Sequence, residues 1–210
     1  MSDAVIQQEK VMPVWFGPAL VFMGGIFIGF APIGLRLGLD ELGPQAIAFW
    51  RYVFALPILF ILAVGVNRRL PVKPNPYVII AGTCFALDIG LWHWSLTYTT
   101  VANATFIVNL GNICVGITAW IFLKERPTRV WFIAVLIAIA GAAALSLGGE
   151  AGGKTDIRGD LLALGAAVLV SCYMVGSKVA RRTMGGLDTI FWLTAVEVIV
   201  AGILVIAFRE

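Results

Sequence analysis

Residues 45–66 read QAIAFWRYVFALPILFILAVGV, a run whose single charged side chain is Arg51. A helix of about 22 residues rises roughly 33 Å, enough to cross a hydrocarbon layer of about 30 Å. Working outward from it, six further runs of the same kind occupy about 14–35, 77–98, 101–123, 129–147, 159–178 and 187–207. The expected fold class is therefore all-α and integral to the membrane: a polytopic helical bundle of seven transmembrane helices joined by short loops. Composition agrees. The chain is 60% hydrophobic and 13% charged, with a mean hydropathy of +0.94, whereas soluble domains carry about 25% charged residues.

The net charge of +3 is no nucleic-acid signature, because in a membrane chain the position of Lys and Arg relative to the spans is what matters. Lys10, Arg68, Arg69, Lys73, Lys124, Arg126, Arg129, Lys178, Arg181 and Arg182 fall on one side, against Arg36, Lys154, Arg158 and Arg209 on the other, a bias of ten to four. The positive side is the cytoplasmic one, so the N-terminus is expected in the cytoplasm of a cell bounded by a plasma membrane, the inner membrane in a bacterium. Cys84, Cys114 and Cys172 all fall within spans and read as small core residues. The first span is too long for a signal peptide and lacks a cleavage site, so it reads as a retained helix.

An ungapped offset of 142 pairs Gly17 with Gly159, Gly34 with Gly176, Arg36 with Lys178, Gly43 with Gly185, Phe49 with Phe191 and Trp50 with Trp192. The sixth and seventh spans thus echo the first and second. A unit of five helices is odd, so its second copy would enter the membrane from the opposite face, the inverted-repeat plan of many secondary transporters. The expected domains are a first five-helix repeat over 1–147, a Gly-rich linker over 148–158, and the first two helices of a second repeat over 159–210. On this reading the chain is truncated.

The stretch 94–145 contains Leu96, Tyr98 and Thr99, then Ala102 and Ala104, then Lys124, Glu125 and Arg126. This pattern resembles the EamA-type drug/metabolite transporter superfamily, as does Arg51 within FWRYVFA. Asn112 stands where many members carry Pro, and Ala134 near a common Gly. The resemblance implies a ten-helix exporter of small metabolites, amino acids or drugs, with its pathway between two five-helix halves.

Charge at bilayer depth is the sharpest chemical signal, since it costs about 2.5–3.5 kcal/mol on insertion scales and needs a partner or a wet cavity. Asp88 falls near the middle of span three, Glu197 near the middle of span seven, and Arg51 inside span two. Arg51 and Asp88 either pair as a structural lock or bracket a zwitterionic substrate. Cys84, Asp88, Trp92 and Ser95 share one face of span three, which suits an organic cation or amino group; the alternative for Trp92 is the interfacial aromatic belt. Thr105, Asn109, Asn112 and Gly116 form a polar stripe on span four, either helix–helix glue or pathway lining. Glu197, with no cation in its own span, is a candidate proton-coupling site, or it pairs with a helix outside this chain. Gly25 and Gly29 make a GxxxG face suited to close packing.

Residues 148–155 match GxxxxGK[ST] but follow a membrane helix rather than a strand, so a flexible linker explains them better than a phosphate loop. No HExxH occurs, and His93 is the one histidine. The expectation is thus a non-enzymatic carrier without metal or cofactor. Its partners are a small-molecule substrate and the lipid bilayer, not nucleic acid, and self-association into a homo-oligomer stays open. It would work by alternating access, with Arg51, Asp88, Trp92, Asn109 and Asn112 as binding residues. The alternative is a seven-helix membrane receptor or sensor, disfavoured because its N-terminus would lie outside.

Overall fold

The computed structural model describes residues 15–38, 42–124, 126–148 and 156–209. Most of the expected linker, 149–155 with its GxxxxGK[ST] run, lies outside the described residues. Among the described residues there are eight helices and no strand: α1 Phe16–Gly38, α2 Pro44–Asn67, α3 Pro76–Ser95, α4 Val101–Asn109, α5 Gly111–Leu123, α6 Arg129–Gly148, α7 Ile157–Ala180 and α8 Gly186–Phe208. These match the expected spans to within about three residues. Five stretches are long and apolar enough to cross a membrane: Gln45–Asn67, Pro76–Ser95, Val101–Leu123, Ile157–Ala180 and Gly186–Phe208. α1 and α6 contribute the shorter apolar runs Phe16–Phe30 and Arg129–Gly141.

The expected fourth span differs in one respect, since it is interrupted at Leu110. There the Leu110 N–H donates to the Ile107 carbonyl at 3.0 Å and the Ile113 N–H to the Leu110 carbonyl at 2.9 Å, a tightening to i→i−3 bonding. The break falls where the backbone meets α7. A Cβ on Gly111 would stand 2.7 Å from Val170 Cγ1 and 2.8 Å from the Ala167 carbonyl oxygen. No proline is needed at Asn112 to break the helix.

Local chemistry sets the helix starts. Asn75 accepts from the Val78 N–H at 2.9 Å ahead of Pro76, Thr100 from the Asn103 N–H, and Asp156 from the Arg158 N–H. Gly43 and Gly185 cap α2 and α8 with nearly the same backbone, φ −65° and ψ 157° against φ −62° and ψ 157°. The starts of α2 and α8, Pro44 and Gly186, are 142 residues apart, as are the ends of α1 and α7, Gly38 and Ala180.

Residues 1–38 and 39–210 form two units; α1 belongs to the first. In the second, α3 lies against α7, α8 and α2, while α7 also meets α4 and α5, and α4 meets α6. α3 and α7 run antiparallel: Gly176 faces Ala81 and Gly165 faces Leu91. So do α2 and α8, where Phe60 meets Phe191 at 5.6 Å and Gly202 faces Phe49. The buried apolar side chains of this unit are mostly alanines, among them Ala63, Ala81, Ala163, Ala166 and Ala167, while Phe54, Ile61, Phe122 and Ile206 point outward. Small residues inside let helix backbones approach, and large apolar ones outside meet lipid.

Candidate functional site

The polar centre of the second unit is built where α2, α3, α7 and α8 meet. Tyr52 of α2 packs with Ala48 and Ala201 against Phe85, Ile89 and Val198. The Phe85 ring bridges Tyr52, at 6.5 Å between centroids, and Tyr173 of α7, at 4.4 Å. Asp88 lies one turn beyond Phe85 on α3 and is 3% exposed; Glu197 of α8 is 4% exposed. Both carboxyl groups lie within electrostatic reach of both tyrosine hydroxyls. The Thr194 hydroxyl, one turn back on α8, lies within hydrogen-bonding reach of Glu197.

Two buried polar atoms here stand out. Asp88 Oδ1 has no hydrogen-bond partner, and the Tyr52 hydroxyl lacks a well-formed one although the Arg51 guanidinium lies near it. A buried polar group without a partner costs about 1–3 kcal/mol, more if charged. Such a group is retained most readily where something binds it.

No ion pair joins Arg51 to Asp88 among the described residues. The 100° helical step turns Tyr52 toward α3 and leaves Arg51 exposed, with its guanidinium carbon 5.4 Å from the Tyr52 ring centroid. The acid that feels Arg51 is Glu197. The structure thus gathers Arg51, Asp88 and Glu197 around an aromatic row. It does not bring the remaining candidates there. Trp92 is half-buried one turn further along α3, its ring 5.3 Å from that of His93. Asn109 is exposed, donates to its own helix at the Thr105 carbonyl (2.9 Å), and lines a separate cleft of about 270 Å³ with Phe106, Trp131 and Val135. The side chain of Asn112 lies outside the described residues.

Two polar clamps not foreseen from the sequence hold the ends of the unit. Asp188, 0% exposed, accepts from Arg69 Nη2 at 2.8 Å and from Asn67 Nδ2 at 3.0 Å. Nearby, Trp192 Nε1 donates to the Val72 carbonyl and Asn75 Nδ2 to Thr183 Oγ1. At the opposite end Asn103 Nδ2 donates to Asp160 Oδ1 at 2.6 Å, and the Asp156 N–H to the Tyr98 carbonyl. The available signal was weak: Asp160 and Asp188 each sit in the first turn of a helix, where the dipole favours an acid.

Helices that bury alanine and carboxyl groups and turn phenylalanine and isoleucine outward define a polytopic helical membrane protein. Comparison with known proteins narrows this further. The EamA-like transporter family matches residues 15–147, and the chain belongs to that family. It is 32% identical to the "Uncharacterized transporter YwfM" of Bacillus subtilis (strain 168), over 78% of this chain and 55% of that protein. It is 28% identical to an "Uncharacterized transporter" of Archaeoglobus fulgidus, over 71% and 53% respectively. A "Probable terminal-alkyne amino-acid exporter" of Streptantibioticus cattleyicolor is 26% identical, over 73% and 52%. The chain spans about half the length of these curated relatives. No solved structure matches it. The family and the relatives that match are named as transporters.

Proposed function

We propose that the chain is part of a secondary exporter of small organic solutes bearing an amino group, amino acids among them. The observation that carries this is Asp88: a carboxyl group buried at mid-helix, with an oxygen left without a partner, beside the aromatic row Tyr52–Phe85–Tyr173. An ammonium group satisfies such an oxygen and is also attracted by the ring faces. Arg51, whose field already reaches Glu197, is the group to meet a solute carboxylate. Glu197 is the candidate for proton coupling; Trp92 lies one turn beyond Asp88 on α3, while Asn109 lines a separate cleft and is given no contact with this centre. The amino-acid exporter among the relatives supports the solute class.

Transport proceeds by alternating access between two five-helix halves, of which 1–147 is the first and 159–210 begins the second. The matched helix limits and the twin glycine caps at a spacing of 142 support that division. The Lys and Arg bias supports a cytoplasmic N-terminus in a bacterial inner membrane. No catalytic step is assigned to the chain.

The test is efflux of labelled amino acids and organic amines from exporter-depleted cells. Asp88→Asn is expected to abolish efflux while membrane abundance stays at the wild-type level. Loss of abundance, or unchanged efflux, would make Asp88 a structural acid and end the proposal.

A further inference from the structure

A cleft of about 290 Å³ opens between α5, α6 and α7 at the end of the unit where α5 stops and α6 begins. Its mouth carries Arg126 and Lys178, and its walls include Ala119 of α5, Met174 of α7 and the indole of Trp131. Trp131 reaches in because Gly116 leaves it room: a Cβ there would collide with the ring. The cleft is therefore cationic at the mouth, aromatic at the level where a membrane–water interface falls, and apolar toward the bilayer core.

The surroundings raise the positive potential. Lys124, Arg129 and Arg181 are exposed at the same end. The sequence sets one acid among these cations, Glu125 between Lys124 and Arg126, so the balance stays positive; the nearby Asp188 is buried and paired with Arg69. Thr128 caps α6 by accepting from the Trp131 N–H at 3.2 Å, so the start of that helix also faces the mouth. A ligand matching this gradient has an anionic head and an apolar tail.

We infer that the α5–α6–α7 cleft binds an anionic phospholipid, its phosphate between Arg126 and Lys178 and an acyl chain against Ala119 and Met174. Basic pockets between transmembrane helices recognise such head groups by charge, and tryptophan suits the head-group level. Free phosphate shares the head-group chemistry but would leave the apolar wall unused. The site is separate from the Asp88 centre, so it stands whether or not the transport proposal does.

The experiment places the chain in phosphatidylcholine vesicles and measures Trp131 quenching by brominated phosphatidylglycerol against brominated phosphatidylcholine, taken as the difference from Trp131→Phe. The wild type should prefer the anionic lipid. Arg126→Gln with Lys178→Gln should weaken that preference about thirtyfold, roughly fivefold per lost cation. Arg181→Gln with Arg182→Gln, an equal loss of charge outside the cleft, should largely retain it. Equal quenching by the two lipids, or equal losses in the two double variants, would overturn the site. Displacement by inorganic phosphate would identify a free-anion site instead. Quenching that depends on protein concentration in phosphatidylcholine alone would mean that a second copy covers the cleft, and either result also overturns the lipid assignment.

Discussion

Arg69 Nη2 stands 2.8 Å from Asp188 Oδ2, joining the α2–α3 loop to the first turn of α8 across more than half the length of the chain. The two partners are unequal: Asp188 is fully buried, while the Arg69 side chain is 47% exposed. The acid depends on the pair more than the cation does. Asn67 supplies a second donor at 3.0 Å, so the carboxylate keeps one partner if Arg69 is lost.

Arg69→Ala is therefore expected to cost about 1–3 kcal/mol, at the lower end because solvent screens the exposed guanidinium. The Arg69→Ala/Asp188→Asn double variant should cost less than the sum of the singles by about 1 kcal/mol. Unfolding midpoints in detergent measure both, and strictly additive singles would show that the contact carries no coupling.

Gly82 and Gly65 make opposite predictions. A Cβ on Gly82 would stand 2.9 Å from Val196 Cβ and 3.0 Å from the Leu193 carbonyl oxygen, so Gly82→Ala must push α3 from α8. The expected cost is about 1–3 kcal/mol. Gly65 has nothing within 4 Å, and Gly65→Ala should be neutral or stabilise by up to about 1 kcal/mol. The same thermal melts compare them, and a reversed order would contradict the α3–α8 contact.

Cys84 of α3 and Cys172 of α7 lie within side-chain hydrogen-bonding reach, and both are free thiols. Copper–phenanthroline oxidation of the native chain should join the two peptides without any engineered cysteine. Peptide mapping reads the product: Cys84→Ser should abolish it and Cys114→Ser should leave it. A Cys84–Cys114 product would refute the antiparallel α3–α7 register.

Tyr52→Phe removes a buried hydroxyl that lacks a well-formed partner, so membrane abundance should hold or rise. If that hydroxyl meets solute, efflux should fall about fivefold, the loss of one hydrogen bond of about 1 kcal/mol. Unchanged efflux at full abundance would remove Tyr52 from the site.

The helices were legible because a membrane imposes a length and a composition that survive without knowledge of neighbours. The run 45–66 reads as a span on those grounds alone, and α2 covers it. The break at Leu110 was not legible, since it arises where Gly111 meets the α7 backbone, some sixty residues away in sequence. Asp88, Glu197 and Arg51 could be singled out by the cost of charge in hydrocarbon. Which of them share a neighbour could not, because that depends on how far each helix is rotated about its axis.

The chain by itself thus determined its solvent, the position of its helices and the short set of charged groups at bilayer depth, all consequences of transfer free energy along one dimension. Only the tertiary structure decided that Arg51 faces Glu197's field rather than pairing with Asp88, that Tyr52 and Tyr173 meet across Phe85, and that Asp188 is clamped by Asn67 and Arg69. Interhelical contact is set by small residues admitting close approach at particular depths. That packing couples positions more than a hundred residues apart, and no local pattern records it.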